Sequence, residues 1–209
     1  DFKSTAIQTG EWLWDNQWNA RTGLKRVYTQ SKQSIEGCLD DYANLGDAYL
    51  KLYQITFNIK WLYRANLIKN KALGKFKLNE NNLFDYSTDG RINSISKTQE
   101  IYDQALPSSN AIFANLLFSI STYMDNAQDA ALAKKMIKST LFSIPPGSAT
   151  EYGQWLSNTL WLTGAPYEIG IVGMNYNTIL NEMISHFIPN GLWFGTRKKE
   201  NKIGRASCR

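Results

Sequence analysis

Histidine occurs once in this sequence of 209 residues, at 186, and cysteine twice, at 38 and 208. A single histidine excludes a multi-histidine metal site, and two cysteines so far apart make neither zinc spacing nor a disulfide framework. The sequence therefore predicts no metal centre and no cofactor, and its cysteine usage fits a reducing, cytoplasmic setting. Apolar runs approaching the ~20 residues of a membrane span are missing, so no membrane partner is expected. Opening on Asp1, with no basic-then-apolar leader, the chain reads as processed or excised, with no signal peptide visible.

Disorder is excluded by what is present: 43% hydrophobic and 13% aromatic residues are enough for a sizeable core. The net charge of +5 suggests a polyanion partner until its distribution is considered. From Thr196 to Arg209 lie six of the 23 basic residues and one of the 18 acidic ones, which leaves 17 of each sign elsewhere. A basic tail on a neutral body, with no recognition motif, argues against nucleic acid.

Helical periodicity dominates the chain. Helices are expected over 4–18, 41–57, 59–74, 107–124, 127–142 and 150–162. In the second, Tyr42, Leu45, Tyr49, Leu52 and Thr56 recur at spacings of 3 and 4, a single apolar stripe. Trp61, Ala65, Ile68 and Ala72 repeat it in the third, and Ile112, Leu116, Ile120 and Tyr123 in the fourth. Asp41 is expected to cap the second helix and Pro107 to take the first position of the fourth. Asp89-Gly90, between apolar-containing runs, signals a β-hairpin in the long connection before it. "YEIGIVG", a helix over 176–187 and "GLWFG" form strand, helix, strand, which suits a parallel βαβ unit.

Successive αα-hairpins would make the second, fourth and sixth helices parallel, with the long polar connections together at their N-terminal rim. Candidate site residues follow from that placement. Asp41 and Asp103 are the candidate acid/base carboxylates, which a glycosidase-like mechanism needs about 5–9.5 Å apart. Asp40, Tyr42, Ser108, Ser109, Asn110 and Trp155 are candidate ligand-binding residues, the Pro-Ser-Ser-Asn helix mouth suiting an anion or a hydroxyl-rich ligand. For each, capping or core packing is the competing reading. Tyr86, Tyr102 and the Trp12, Trp14 and Trp18 group stand in the same position between a stacking cleft and core. Glu36 and Glu151 are weaker rim candidates, and Cys38 reads as buried and inert.

"CLDDYANLGDAYLKLYQITFNIKWLYRA" resembles the Leu-(Glu/Asp)-Asp-Tyr-Ala helix of the thioredoxin-domain-containing, spermatogenesis-associated protein family, the domain of unknown function 255 group. "NNLFDYST" resembles its Gly-Gly-Phe-Phe-Asp segment, and "YDQALPSSNAIFANLL" its Asp-x-Ala-x-Pro-Ser-Gly-Asn helix mouth, with Ser109 where that family has glycine. "APYEIGIVG" and "HFIPNGLWFG" resemble its terminal strands, so the likeness runs in order along nearly the whole chain. It implies a mainly α fold: antiparallel αα-hairpins forming part of an (α/α)6 toroid like that of six-hairpin glycosidases, with a β-hairpin insertion and a small C-terminal βαβ element. The thioredoxin part is not in this sequence, and three inner helices are half of what a closed toroid requires.

The implied organisation is a partial toroid over 1–164, the βαβ element over 165–195 and a basic tail over 196–209, whose "GRASCR" ending reads as native or as a cloning remnant. Two functions remain open. One is a carbohydrate-active enzyme, epimerase- or glycosidase-like, taking a sugar or sugar phosphate at the rim. The lack of a rim histidine weakens its epimerase form. The other is a non-catalytic ligand- or partner-binding module serving an attached thioredoxin domain. With upstream hairpins missing, the tryptophan-rich first helix is an expected edge for self-association.

Overall fold

The computed structural model describes residues 1–28, 35–88, 99–164, 166–186 and 188–196. The Asp89-Gly90 hairpin, Cys208 and the basic tail from Arg197 lie outside them. The chain is mainly helical with two small sheets. Helix α1 (Phe2–Gln17) leads through the two-residue strands β1 (Trp18–Asn19) and β2 (Gly23–Leu24) to α2 (Leu39–Thr56) and α3 (Ile59–Lys75). Next come α4 (Ser109–Met124), α5 (Ala127–Leu141), a 3-10 turn at Ala149–Tyr152, and the short helices α6 (Gly153–Asn158) and α7 (Leu160–Thr163). β3 (Tyr167–Val172), α8 (Tyr176–Met183) and β4 (Gly191–Thr196) close the described chain.

Local chemistry sets the helix ends. α2 stops at Phe57 and α4 at Asp125, both in left-handed backbone (φ 52° and 54°), and the next residue in each case is an asparagine. Asn58 accepts the amide of Lys60, and Asn126 accepts those of Gln128 and Asp129, so each asparagine caps the following helix. Two-residue connections of this kind turn the chain sharply and pack α2 on α3 and α4 on α5.

Two expected helices differ from the sequence reading. Pro107 is not the first helical residue: the Ser108 hydroxyl accepts the Ala111 amide, so Ser108 is the cap and Pro107 precedes it. The helix expected over 150–162 is broken, because the Thr159 amide bonds to Leu156 three residues back, a 3-10 step that separates α6 from α7.

The apolar stripes are buried as their spacing requires. Tyr42, Tyr49 and Leu52 on α2 meet Trp61, Ala65 and Ile68 on α3 and Leu116 and Ile120 on α4 in one core. α2, α4 and α6 lie side by side in a row, backed by α1, α3 and α5. Trp14 stacks on Trp18 and packs against Tyr49, while Trp12 is 44% exposed beside Tyr28. β3 and β4 pair in parallel from Tyr167 opposite Gly191 to Val172 opposite Thr196, with α8 packed on β3. Tyr123 at the end of α4 donates its hydroxyl to the Trp193 carbonyl (3.0 Å) and so ties this unit to the helices.

One polar contact is set in the second layer. Lys69 of α3, 2% exposed, is ion-paired with Asp129 of α5, whose carboxylate also accepts from Asn126. Removing one partner leaves a buried charge uncompensated. Lys69→Met is expected to lower unfolding stability by about 3–5 kcal/mol, and Lys69→Met with Asp129→Leu to recover most of it. Urea unfolding followed by circular dichroism measures both.

Candidate ligand-binding site

The starts of α2, α4 and α6 share one rim, held by hydrogen bonds from the connections before them. The Leu39 amide donates to the Tyr86 carbonyl (2.9 Å), and two residues earlier the Phe84 amide donates to Asn110 Oδ1 (2.8 Å). Asp103 joins the other pair. Its Oδ1 accepts the Ser108 amide (2.8 Å) at the mouth of α4, and its Oδ2 accepts the Gln154 amide (2.7 Å) in the first turn of α6. Asp103 reaches the mouth of α4 from five residues before Ser108 because the chain folds back between them, with the Gln104 amide bonded to Leu106 O.

The remaining residues of this helix mouth are also engaged with their own chain. Asn110 is fully buried and clamps Phe84 through both backbone groups, with Nδ2 reaching the Glu100 carbonyl as well. Ser108 Oγ donates to that same carbonyl, and the Ser109 amide donates to the Glu100 carboxylate (3.1 Å). The Ser109 hydroxyl is buried and has no partner among the described residues. Trp155 is buried and donates its indole N–H to Ile101 O (2.9 Å). Glu100, not singled out from the sequence, thus neutralises one of the free amides of α4. Tyr102 packs on Tyr152, and the Glu151 carbonyl accepts the Asp103 amide.

At the mouth of α2 the cap is Cys38, not Asp41. Asp41 is the third helical residue, and its carboxylate reaches back to the Cys38 amide (2.8 Å) in a reciprocal capping box. Arg26 grips Asp40 with two nitrogens (2.8 and 3.1 Å) and also contacts Asp41 (2.8 Å), while Tyr86 donates to Asp40 (2.9 Å). Burial, then the neighbouring Asp40 charge, raises the Asp41 pKa against the pull of the Cys38 amide and Arg26. Cys38 is 2% exposed and burial pushes its thiol up, which fits an unreactive residue. Donor atoms of Cys38, Asp40 and Asp41 lie within 4.8 Å of one another, but the Arg26 guanidinium already supplies the positive charge there. Glu36 pairs with Lys75 (2.9 Å). Tyr42 is buried and accepts the Leu24 amide through its hydroxyl (2.7 Å).

Further side chains with unused hydrogen-bonding capacity lie along the row formed by α2, α4 and α6. Asn44, Asp47, Lys51 and Gln54 form a polar stripe on α2 at spacings of 3 and 4, and Asn115, Ser119 and Thr122 form another on α4. Between them, α6, α7 and the approach to β4 lies a pocket of about 400 Å³. Asn158 anchors its floor by donating to Ala111 O (2.8 Å) and accepting from Gln154 Nε2 (3.0 Å). Asn115 Oδ1 accepts the Trp161 indole N–H (2.9 Å). Nδ2 of Asn115 and Oε1 of Gln154 then have no hydrogen-bond partner among the described residues. Trp161 and Trp193 supply apolar wall, and no aspartate, glutamate, histidine or cysteine occurs among the described lining residues. Trp161, stacked on Phe118, is also shared with a neighbouring depression of about 530 Å³.

No protein-family model and no curated protein matches this chain. Among the described lining residues only Gln154, next to Trp155, adjoins a candidate site position read from the sequence. Their polar stripes were the available signal, and a polar stripe on a helix ordinarily means a solvated face.

Replacing Asp103 by Asn turns one acceptor into a donor facing a backbone donor, at Ser108 or at Gln154. A loss of about 1–3 kcal/mol in stability is expected, measured by thermal unfolding.

Asp47 carries a buried Oδ1 with no partner among the described residues, and burial raises its pKa against the pull of Lys51. The folded state therefore holds this proton more tightly than the unfolded chain. Its contribution to stability is complete below the ordinary value of 3.8 and is lost as pH rises through the raised folded value. Asp47→Asn is expected to raise the melting temperature at neutral pH and to converge with the wild type in acid. Calorimetry over that range is the check.

Proposed function

We propose that this chain is a non-catalytic binding module that holds a polyhydroxylated small molecule, sugar-like in chemistry, in the pocket between α2, α4, α6 and β4. The observation that carries the reading is a contrast. The rim carboxylate Asp103 uses both oxygens on backbone amides, whereas the pocket amides of Asn115 and Gln154 keep free valences. Primary amides offer a donor and an acceptor side by side, as vicinal hydroxyls require, and indole rings give an apolar face for C–H groups. Glycoside hydrolysis needs two carboxyl groups flanking the bond, and the described lining supplies none. The rim enzyme reading is accordingly the weaker of the two.

In this reading the row of α2, α4 and α6 backed by α1, α3 and α5 is an arc of an α/α toroid, and its inner face is the binding surface. The family resemblance adds that the module serves an attached thioredoxin domain. Saturation-transfer NMR with glucose and maltose tests the site. Transfer to ring protons is expected in the wild type. Asn115→Asp, which keeps the acceptor for Trp161 but removes the amide donor, is expected to weaken it several-fold with the fold retained. Absence of transfer in the wild type, or identical transfer in both proteins, overturns the proposal.

A further inference from the structure

The pocket wall is electrically one-sided. Lys51 is the single charged side chain among its described lining residues. It projects from α2 between Asp47 and Gln54, the first of which does not line the pocket. Several other lysines and arginines among the described residues are paired. Arg26 holds Asp40 and Asp41, Arg64 holds Glu11, Lys69 holds Asp129, Lys75 holds Glu36, and Lys71 donates to the carbonyls of Ala20 and Arg21. For Lys51 no carboxylate lies within 4.0 Å among the described residues, and no hydrogen bond from its ammonium is formed to them. A cation at the wall of a pocket otherwise lined by neutral amides and rings makes the potential there positive. It is met best by a ligand with one anionic group next to its hydroxyls.

We infer that the pocket selects an anionic, polyhydroxylated ligand, a sugar bearing a carboxylate or a phosphoryl group, with Lys51 opposite the anionic group and the Asn115 and Gln154 amides opposite the hydroxyls. This inference rests on the binding reading above and adds the charge class of the ligand. Lys51 is solvent-exposed, so the selectivity is modest and salt-sensitive. Preference for the anion over its neutral counterpart is about twofold to fivefold at low ionic strength.

The test compares D-glucuronate, D-glucose 6-phosphate and D-glucose by NMR titration of the whole chain at low and high salt, in the wild type and in Lys51→Met. Methionine keeps the apolar stem and removes the charge. The expected result is tighter binding of one or both anions than of glucose, a preference that shrinks with salt and disappears in Lys51→Met. Which anion binds more tightly separates a carboxylate from a phosphoryl ligand. Equal binding of all three by the wild type, or a preference that survives in Lys51→Met, overturns the role of Lys51 and leaves the binding module standing. Binding of none of them overturns both.

Discussion

Two helices of this protein begin against a single carboxylate. Asp103 accepts one amide at the mouth of α4 and another in the first turn of α6, and its position is maintained by its own amide on Glu151 O. A helix start leaves several amides without intrahelical partners, and its positive end favours a negative charge. Meeting two such starts with one side chain fixes the distance between α4 and α6 and hence the width of everything built between them. The pocket that holds Asn115, Gln154 and Asn158 lies along those helices. Its shape therefore depends on a contact at the rim.

The same economy runs along the rest of the rim. Arg26 with Asp40 and Asp41, Glu100 with Ser109, and Asn110 with Phe84 satisfy polar groups that the helix ends and irregular connections would otherwise leave unpaired. A carboxylate whose two oxygens each receive a backbone amide is held in place by charge-assisted hydrogen bonds. Along the pocket side of the row the backbone needs nothing from side chains, since α2 and α4 satisfy their own amides there. Side chains on that side line the pocket, and in the proposed reading Lys51, Asn115 and Gln154 are the ones that meet a ligand.

Most of the helical frame was legible in the sequence. The spacing of Tyr42, Tyr49 and Leu52, and of Trp61, Ala65 and Ile68, located α2 and α3 and their buried faces, because a period near 3.6 leaves few alternatives. Strand, helix, strand at the end was legible too, and β3 and β4 do pair in parallel. The break at Thr159 was not, since it arises from a 3-10 step within a helix-compatible run. The Asp103 side chain was recognised as significant, but its partners at Ser108 and Gln154 were out of reach of any local rule, one of them lying 51 residues away.

By itself the sequence determined where most of the long helices form and which stripes are apolar enough to be buried. These are properties of neighbours within a few positions, and short-range sterics and periodicity govern them. Only the tertiary structure decided what each polar side chain faces. Asp103 and Lys51 are both charged residues at or on helices, yet one is spent on two backbone amides and the other borders a pocket. Hydrogen bonding and desolvation act over a few ångströms in space, and which groups come that close is settled when the helices pack, not along the chain.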